Sequence, residues 1–319
     1  MSSERPPRAV AFGECMIELR QVEAGLMRQS FGGDTLNTAL YLARLAGSAY
    51  SVGYATAIGA GDPFSVEMLN AWQAEGIDTR LVACMPGEMP GLYAIQVDAQ
   101  GERHFSYWRQ NAPARRYFST PDGELSLLEA QQADVDLLYL SGISLAILPE
   151  QGRERLFALM QAIRQRGGQV VFDNNYRPRL WSSASEARAI YARAYALAST
   201  ALVTLDDEMA VLEGADAATA LEHTLGHGCA ETIIKRGQQP TLVCCKGEAP
   251  VEVATLAVQK VVDTTAAGDS FAAGYIAARL HGLEPALAAA KGNRLAGLVI
   301  QHPGAIIPMA VMPTDFFVS

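Results

Sequence analysis

"RERLFALMQAIRQRGGQVVFDNNYR", Arg153–Arg177, reads as a helix followed by a strand. In its first part Leu156, Leu159, Met160 and Ile163 fall three and four residues apart, the period of a helix with one buried face. The Gly167–Gly168 pair ends that pattern. Val170, Val171 and Phe172 then form a short apolar run that stops on Asp173, Asn174 and Asn175. The same strand form recurs in "DVDLLYLSGIS" (134–144), "TALVTLDDE" (200–208) and "CAETIIKRG" (229–237), with helical patterns between. Near the start, "RAVAFGECMIEL" (8–19) reads as an opening strand. Strands alternating with helices predict a parallel α/β sheet with right-handed crossovers. Ligands bind at the carboxyl ends of such strands. The polar ends "DNNYR", "LDDE" and "KRG" are therefore expected along one edge.

Residues 89–110 break this rhythm. "GLYAIQVDAQGERHFSYWR" (91–109) alternates with period two around the turn signal "DAQG", the pattern of a hairpin. No linker, repeat or low-complexity tract divides the chain. The expectation is a single α/β domain over residues 1–319, with a small β lid from about 14–31 and 89–112.

Bulk properties narrow the function. The chain has 319 residues, half of them hydrophobic, enough for a large core. Its formal net charge of −9 argues against a nucleic-acid partner, which would call for a basic surplus. No apolar run reaches the roughly 18 residues a membrane helix needs, and "MSSERPPRAV" has no apolar signal core. A cytoplasmic location without membrane attachment is the expectation. Five cysteines with no CxxC point to neither a disulfide framework nor a zinc site. His223 and His227 lie four apart without an acidic partner nearby, so a solvated helix face is the simpler reading.

The chemistry concentrates in "VVDTTAAGDSFAAGYIAARL", Val261–Leu280. A β-type run gives way to small residues and then to a helical pattern. The first amides of a helix lack partners, and the helix dipole favours anions there. A phosphate fits on the N–H groups of Ala266–Asp269. Asp269 has two readings: an ordinary acid at a helix start, or a general base taking a proton from a hydroxyl that attacks a phosphoryl group. There is no GxxxxGK[ST] loop. "GAGDPF" (59–64) has two glycines of a dinucleotide fingerprint but ends in phenylalanine.

"DTTAAGDSF" (263–271) resembles the carboxyl-terminal signature of the ribokinase-like carbohydrate kinases. "FGGDTLNTALYLARL" (31–45) is similar to that family's sugar-binding glycine pair and following asparagine. "IGAGDPF", "DNNYRPRLW" and "IIKRG" fall between them in the family's order, so the resemblance covers nearly the whole chain. "GGDTLN", "YWR", "NNYRPRLW" and "DTTAAGD" together look most like the branch that phosphorylates 2-keto-3-deoxygluconate. The resemblance implies a ribokinase-like three-layer fold, with a mainly parallel sheet flanked by helices under a β lid. It implies ATP and Mg²⁺, with phosphorylation of the terminal hydroxyl of a sugar acid. By resemblance Asp269 is the catalytic base, and Ala266, Ala267 and Gly268 form the anion hole. Asn175, Lys235, Gly237 and Asn293 fall at the nucleotide, and Glu208 at the metal. Two positions depart from the pattern. Ala266 stands where glycine is usual. Leu205 stands where an asparagine should precede Glu208 in the metal motif.

At the substrate end, Gly33, Asp34 and Asn37 suit sugar hydroxyls, although Asp34 also reads as a helix cap. Tyr107 and Arg109, two apart on a lid strand, share a face, with Tyr93 on the partner strand. Arg177 follows another strand end. With the family likeness, Arg109 and Arg177 become candidates to hold a carboxylate. A kinase for a neutral sugar such as fructose, and a non-catalytic sugar sensor, stay open as alternatives. A homo-oligomer is expected from family likeness.

Overall fold

The computed structural model describes residues 5–97, 103–121 and 123–317. Thirteen strands are described. They are β1 (Arg8–Phe12), β2 (Met16–Glu23), β3 (Leu26–Gly32), β4 (Ser51–Gly59), β5 (Val82–Met85), β6 (Leu92–Val97), β7 (Arg103–Trp108), β8 (Leu137–Ser141), β9 (Gln169–Asp173), β10 (Thr200–Thr204), β11 (Glu231–Arg236), β12 (Gln239–Cys245) and β13 (Val251–Val253). Nine of them form one sheet, in the order β13-β12-β11-β10-β9-β8-β1-β4-β5. From β11 across to β5 every pairing is parallel, and β12 and β13 extend the edge antiparallel. The chain winds outward from β1 one way through β4 and β5, then resumes on the other side at β8. The strand order thus reverses between β1 and β8, where open α/β sheets place their ligand crevice.

Period two decides which helices cover which face. Ala9, Ala11, Leu137, Tyr139, Val171, Leu202 and Ile233 point into one apolar layer, with the helices Asp34–Ala46, Ala267–Leu280 and Pro285–Val299. Their neighbours Val10, Phe12, Leu138, Leu140, Val170, Phe172, Ala201, Val203 and Ile234 point into the other, with Glu150–Gln165 and Ala184–Leu197. Both faces of the parallel strands are therefore buried, the usual state of such sheets. The expected three-layer, ribokinase-like arrangement is the observed one.

The opening run does not form one strand. β1 ends at Phe12, and the chain leaves the large sheet through Gly13–Cys15 before β2 begins in a second sheet. Residue 13 has to be glycine because a Cβ there would overlap the Thr35 hydroxyl. The second sheet has the order β3-β2-β6-β7 and stands over the carboxyl edge of the first. Its β6–β7 pairing follows the alternation of residues 92–108. The turn signal "DAQG" lies outside the described residues.

Two local expectations are corrected. Asp34 does not cap its helix: Gly33 holds the N-cap position with an extended backbone, and Asp34 lies in the first turn. A Cβ on Gly33 would overlap the Glu14 carbonyl oxygen, so the chain passes β1's exit as bare backbone. The run Val261–Val262 is not a strand. The amides of Val262 and Asp263 donate instead to the Ile300 carbonyl, at the end of the helix Pro285–Val299.

The helix that starts at Ala267 is held by close packing on Pro285–Val299. A Cβ on Gly274 would come within 3.0 Å of the Gly292 Cα, and one on Gly292 within 2.9 Å of the Phe271 ring. Gly274→Leu is expected to separate the two helices, with an overpacking cost of about 1–3 kcal/mol. Urea unfolding would show this as a lower midpoint.

Candidate functional site

A cleft of about 1350 Å³ runs along the carboxyl edge between the two sheets. Asp173 at the end of β9, Thr204 at the end of β10 and Lys235 near the end of β11 form its floor. The starts of the helices Asp34–Ala46 and Ala267–Leu280 close one side. Phe105 and Tyr107 from the small sheet close the top.

At the helix start, Ala266 takes the left-handed conformation, with φ 59° and ψ 18°. An alanine there costs about 1–2 kcal/mol relative to right-handed backbone. Asp263 braces this turn by accepting hydrogen bonds from the Thr265 amide at 3.0 Å and hydroxyl at 2.6 Å, and from the Gly304 amide at 3.0 Å. Arg20 of β2 reaches the same carboxylate at 3.5 Å, linking the small sheet to the turn. The amides of Gly268 and Asp269 have no backbone acceptor among the described residues. A Cβ on Gly268 would meet only the Lys235 ammonium, at 3.6 Å, so the cradle is open. Unpartnered amides, a helix dipole and an adjacent lysine suit phosphate oxygens.

Asp269 is half-buried beside them. Its Oδ2 accepts a hydrogen bond from the Asn37 amide at 2.8 Å. Burial, with the negative charge of Asp34 second, pushes its pKa up to about 8. Asp173 adds to this push, while Asn37 and Lys235 oppose it. Lys235 itself donates to Asp173 at 2.9 Å, and burial raises the Asp173 carboxyl above its ordinary value in spite of that partner. Asn37 Oδ1 is buried without a partner among the described residues, an acceptor suited to a ligand hydroxyl. Asn175, strained at φ 25°, donates to Asp34 at 2.6 Å.

Gly33, Asp34, Asn37, Tyr93, Tyr107, Arg109, Arg177, Asn175, Lys235 and Ala266–Asp269 all line this one cleft. Three expected residues do not. Asn293 is buried and holds Thr241 at 2.9 Å and the Ala254 carbonyl at 3.2 Å. Gly237 lies between β11 and β12 with φ 62°, serving the turn. Glu208 is fully buried, with its oxygens taken by Tyr195 at 2.7 Å, His223 at 3.1 Å and Asn174 at 3.3 Å. Its neighbour Asp207 faces the cleft instead.

The arginines also differ from expectation. Arg109 is buried against Glu14, an acid absent from the sequence reading, so its charge is already compensated. Arg177 lies 3.6 Å from Asp207. Tyr93 donates to Glu18 and stacks on Tyr107, with ring centres 5.9 Å apart. Glu14 had no local signal, because it falls in a run that reads as continuous strand.

A family model described as pfkB family carbohydrate kinase matches residues 7–312. The chain belongs to that family. This pfkB kinase is 49% identical over 304 residues to the 2-dehydro-3-deoxygluconokinase of Dickeya dadantii, covering 94% of this chain and 97% of that protein. It is 30% identical over 276 residues to a fructokinase of Salmonella typhimurium, covering 83% and 82%. Its fold is similar to a crystal structure of aminoimidazole riboside kinase from Salmonella enterica, with TM-score 0.79 and 22% identity over 95% and 96% of the two chains. It is thus a carbohydrate kinase, which phosphorylates an alcohol.

The raised Asp269 pKa has a consequence for stability. The unfolded chain releases this proton near the ordinary carboxylate value, whereas the folded chain keeps it until about pH 8. Stability contributed by the protonated form is therefore present at low pH and is lost as pH rises through about 8. Asp269→Asn removes that loss. The variant is expected to melt higher than the parent at pH 8, with the difference shrinking toward pH 4. Melting temperature against pH checks this.

Proposed function

We propose that this kinase transfers the γ-phosphoryl group of ATP to the terminal hydroxyl of 2-keto-3-deoxygluconate (2-dehydro-3-deoxygluconate), giving the 6-phosphate. The observation that carries the reading is Asp269. It is a half-buried carboxylate in the first turn of a helix whose Gly268 and Asp269 amides have no backbone acceptor among the described residues, and it faces a cleft with sugar-type hydrogen-bonding groups opposite. The substrate comes from the 49% identity to a kinase named for it, against 30% to a fructokinase.

In this reading Asp269 accepts the proton of the attacking hydroxyl. Asn37 orients that carboxylate through its amide. The amides of Gly268 and Asp269, with Lys235, stabilise the charge on the transferring group. Gly33, Asp34 and the free Asn37 oxygen position the sugar hydroxyls. The small sheet, with Tyr93 and Tyr107, excludes water and so limits ATP hydrolysis. Among the described residues no cluster of three His, Cys, Asp or Glu forms a metal cage. This fits Mg²⁺, which is usually held by one or two carboxylates together with substrate phosphates. Asp207 is better placed for that than Glu208. Bound Mg²⁺ would neutralise phosphate charge. A cytoplasmic location agrees with five free cysteines. The exposed Val22, Leu26 and Trp108 on the small sheet support a homo-oligomer.

One observation favours a second reading, a kinase for a neutral sugar: Arg109 and Arg177 both already face carboxylates.

The deciding assay is ADP release with Mg-ATP against 2-keto-3-deoxygluconate, its galactonate epimer, fructose, ribose and adenosine. Turnover is expected with the keto-deoxy acids alone, and Asp269→Asn should lose about 10²–10⁴ of it. Strong turnover of fructose would sink the acid substrate and leave the kinase. In the parent enzyme kcat/KM should rise with pH toward about 8, because Asp269 must first give up its proton to act as a base. A profile flat from pH 6 to 9 would remove Asp269 from that role.

A further inference from the structure

At the sugar end of the cleft one charged side chain is left without a bonded partner. Glu14, just past the end of β1, has a side chain only 1% exposed and pairs with Arg109, whose side chain is 10% exposed. That pair is neutral as a unit. A second arginine, Arg115, lines the same cleft from the short turn Pro113–Arg116. Its positive charge reaches Glu14, where it opposes the rise in pKa that burial causes. Yet among the described residues the Arg115 side chain makes neither a hydrogen bond nor an ion pair. Its neighbour Arg116 pairs with Glu88 at 2.6 Å, and Arg177 has Asp207. Arg179 also lines the cleft but is exposed, so water screens it.

The Arg115 charge is thus left half-buried in the cleft without a bonded partner, while the nearby Asp34 is held by Asn175 at 2.6 Å. Such a charge is costly without a partner, and a ligand carboxylate would supply one. We propose that Arg115 meets the carboxylate of the sugar acid and determines specificity for it, while Glu14 compensates Arg109 and leaves it as a hydrogen-bond donor. This rests on the sugar-acid reading above.

The test compares 2-keto-3-deoxygluconate with its uncharged methyl ester as substrates of the parent enzyme, Arg115→Gln and Arg115→Met. In both variants KM for the acid should rise tenfold or more, with KM for the ester and kcat for both nearly unchanged. Acid and ester KM rising together would make Arg115 a structural residue and overturn the proposal, as would no change in either. Arg115→Met keeps the apolar stem, so the split can be read on it alone if the Gln variant fails to fold, judged by circular dichroism. A parent enzyme inactive on the acid would instead defeat the sugar-acid reading itself. An active parent whose variants show no split defeats this inference alone.

Discussion

A carboxylate half-withdrawn from water at the start of a helix is the constraint around which the cleft is arranged. Asp269 faces two other acids, Asp34 and Asp173, and burial disfavours charge on Asp269 and Asp173. The surroundings relieve this in specific ways. Asn37 donates to Asp269, Lys235 to Asp173, and Asn175 to Asp34. Each donor comes from a different part of the chain, so the three acids approach one another only in the folded molecule. The remaining imbalance favours protonation of Asp269. A group with a pKa near neutrality is also well matched to moving a proton.

The backbone around this acid is arranged for close approach. Ala266 adopts a left-handed turn, Gly268 leaves the amides bare, and Asp263 fixes the turn with three hydrogen bonds. The helix is pressed onto its neighbour by Gly274 and Gly292, which sets where its first turn lies. On the other side, Arg20 ties the small sheet to Asp263. The turn before the helix and the small sheet thus share one ion pair.

Charge along the cleft is largely cancelled within the protein. Glu14 meets Arg109, Asp207 meets Arg177, and Asp173 meets Lys235. The first and last of these pairs are buried; such pairs add little net stability, but removing one partner leaves a costly charge behind. Ligand recognition then depends on which groups are left over. Among the described residues, the free oxygen of Asn37 and the unbonded guanidinium of Arg115 are such groups.

The sequence by itself determined the layered sheet, because alternating apolar periods of 3.6 and 2 have few packings other than helices on both faces of parallel strands. It also determined the open turn at the helix start, since "DTTAAGD" contains the small residues, the acid and the helix start within a single turn. Where partners are local, the pattern of residues shows them. Only the tertiary structure decided how the chain divides at Gly13–Cys15 between two sheets, because the apolar run continues unbroken through the division. It alone sent Asn293 and Glu208 into the interior, where Thr241, Tyr195 and His223 engage them. It alone set Glu14 against Arg109, 95 residues away in the chain. The strength of a charge at a site depends on burial and on partners brought from a distance, and neither is written in the neighbouring residues.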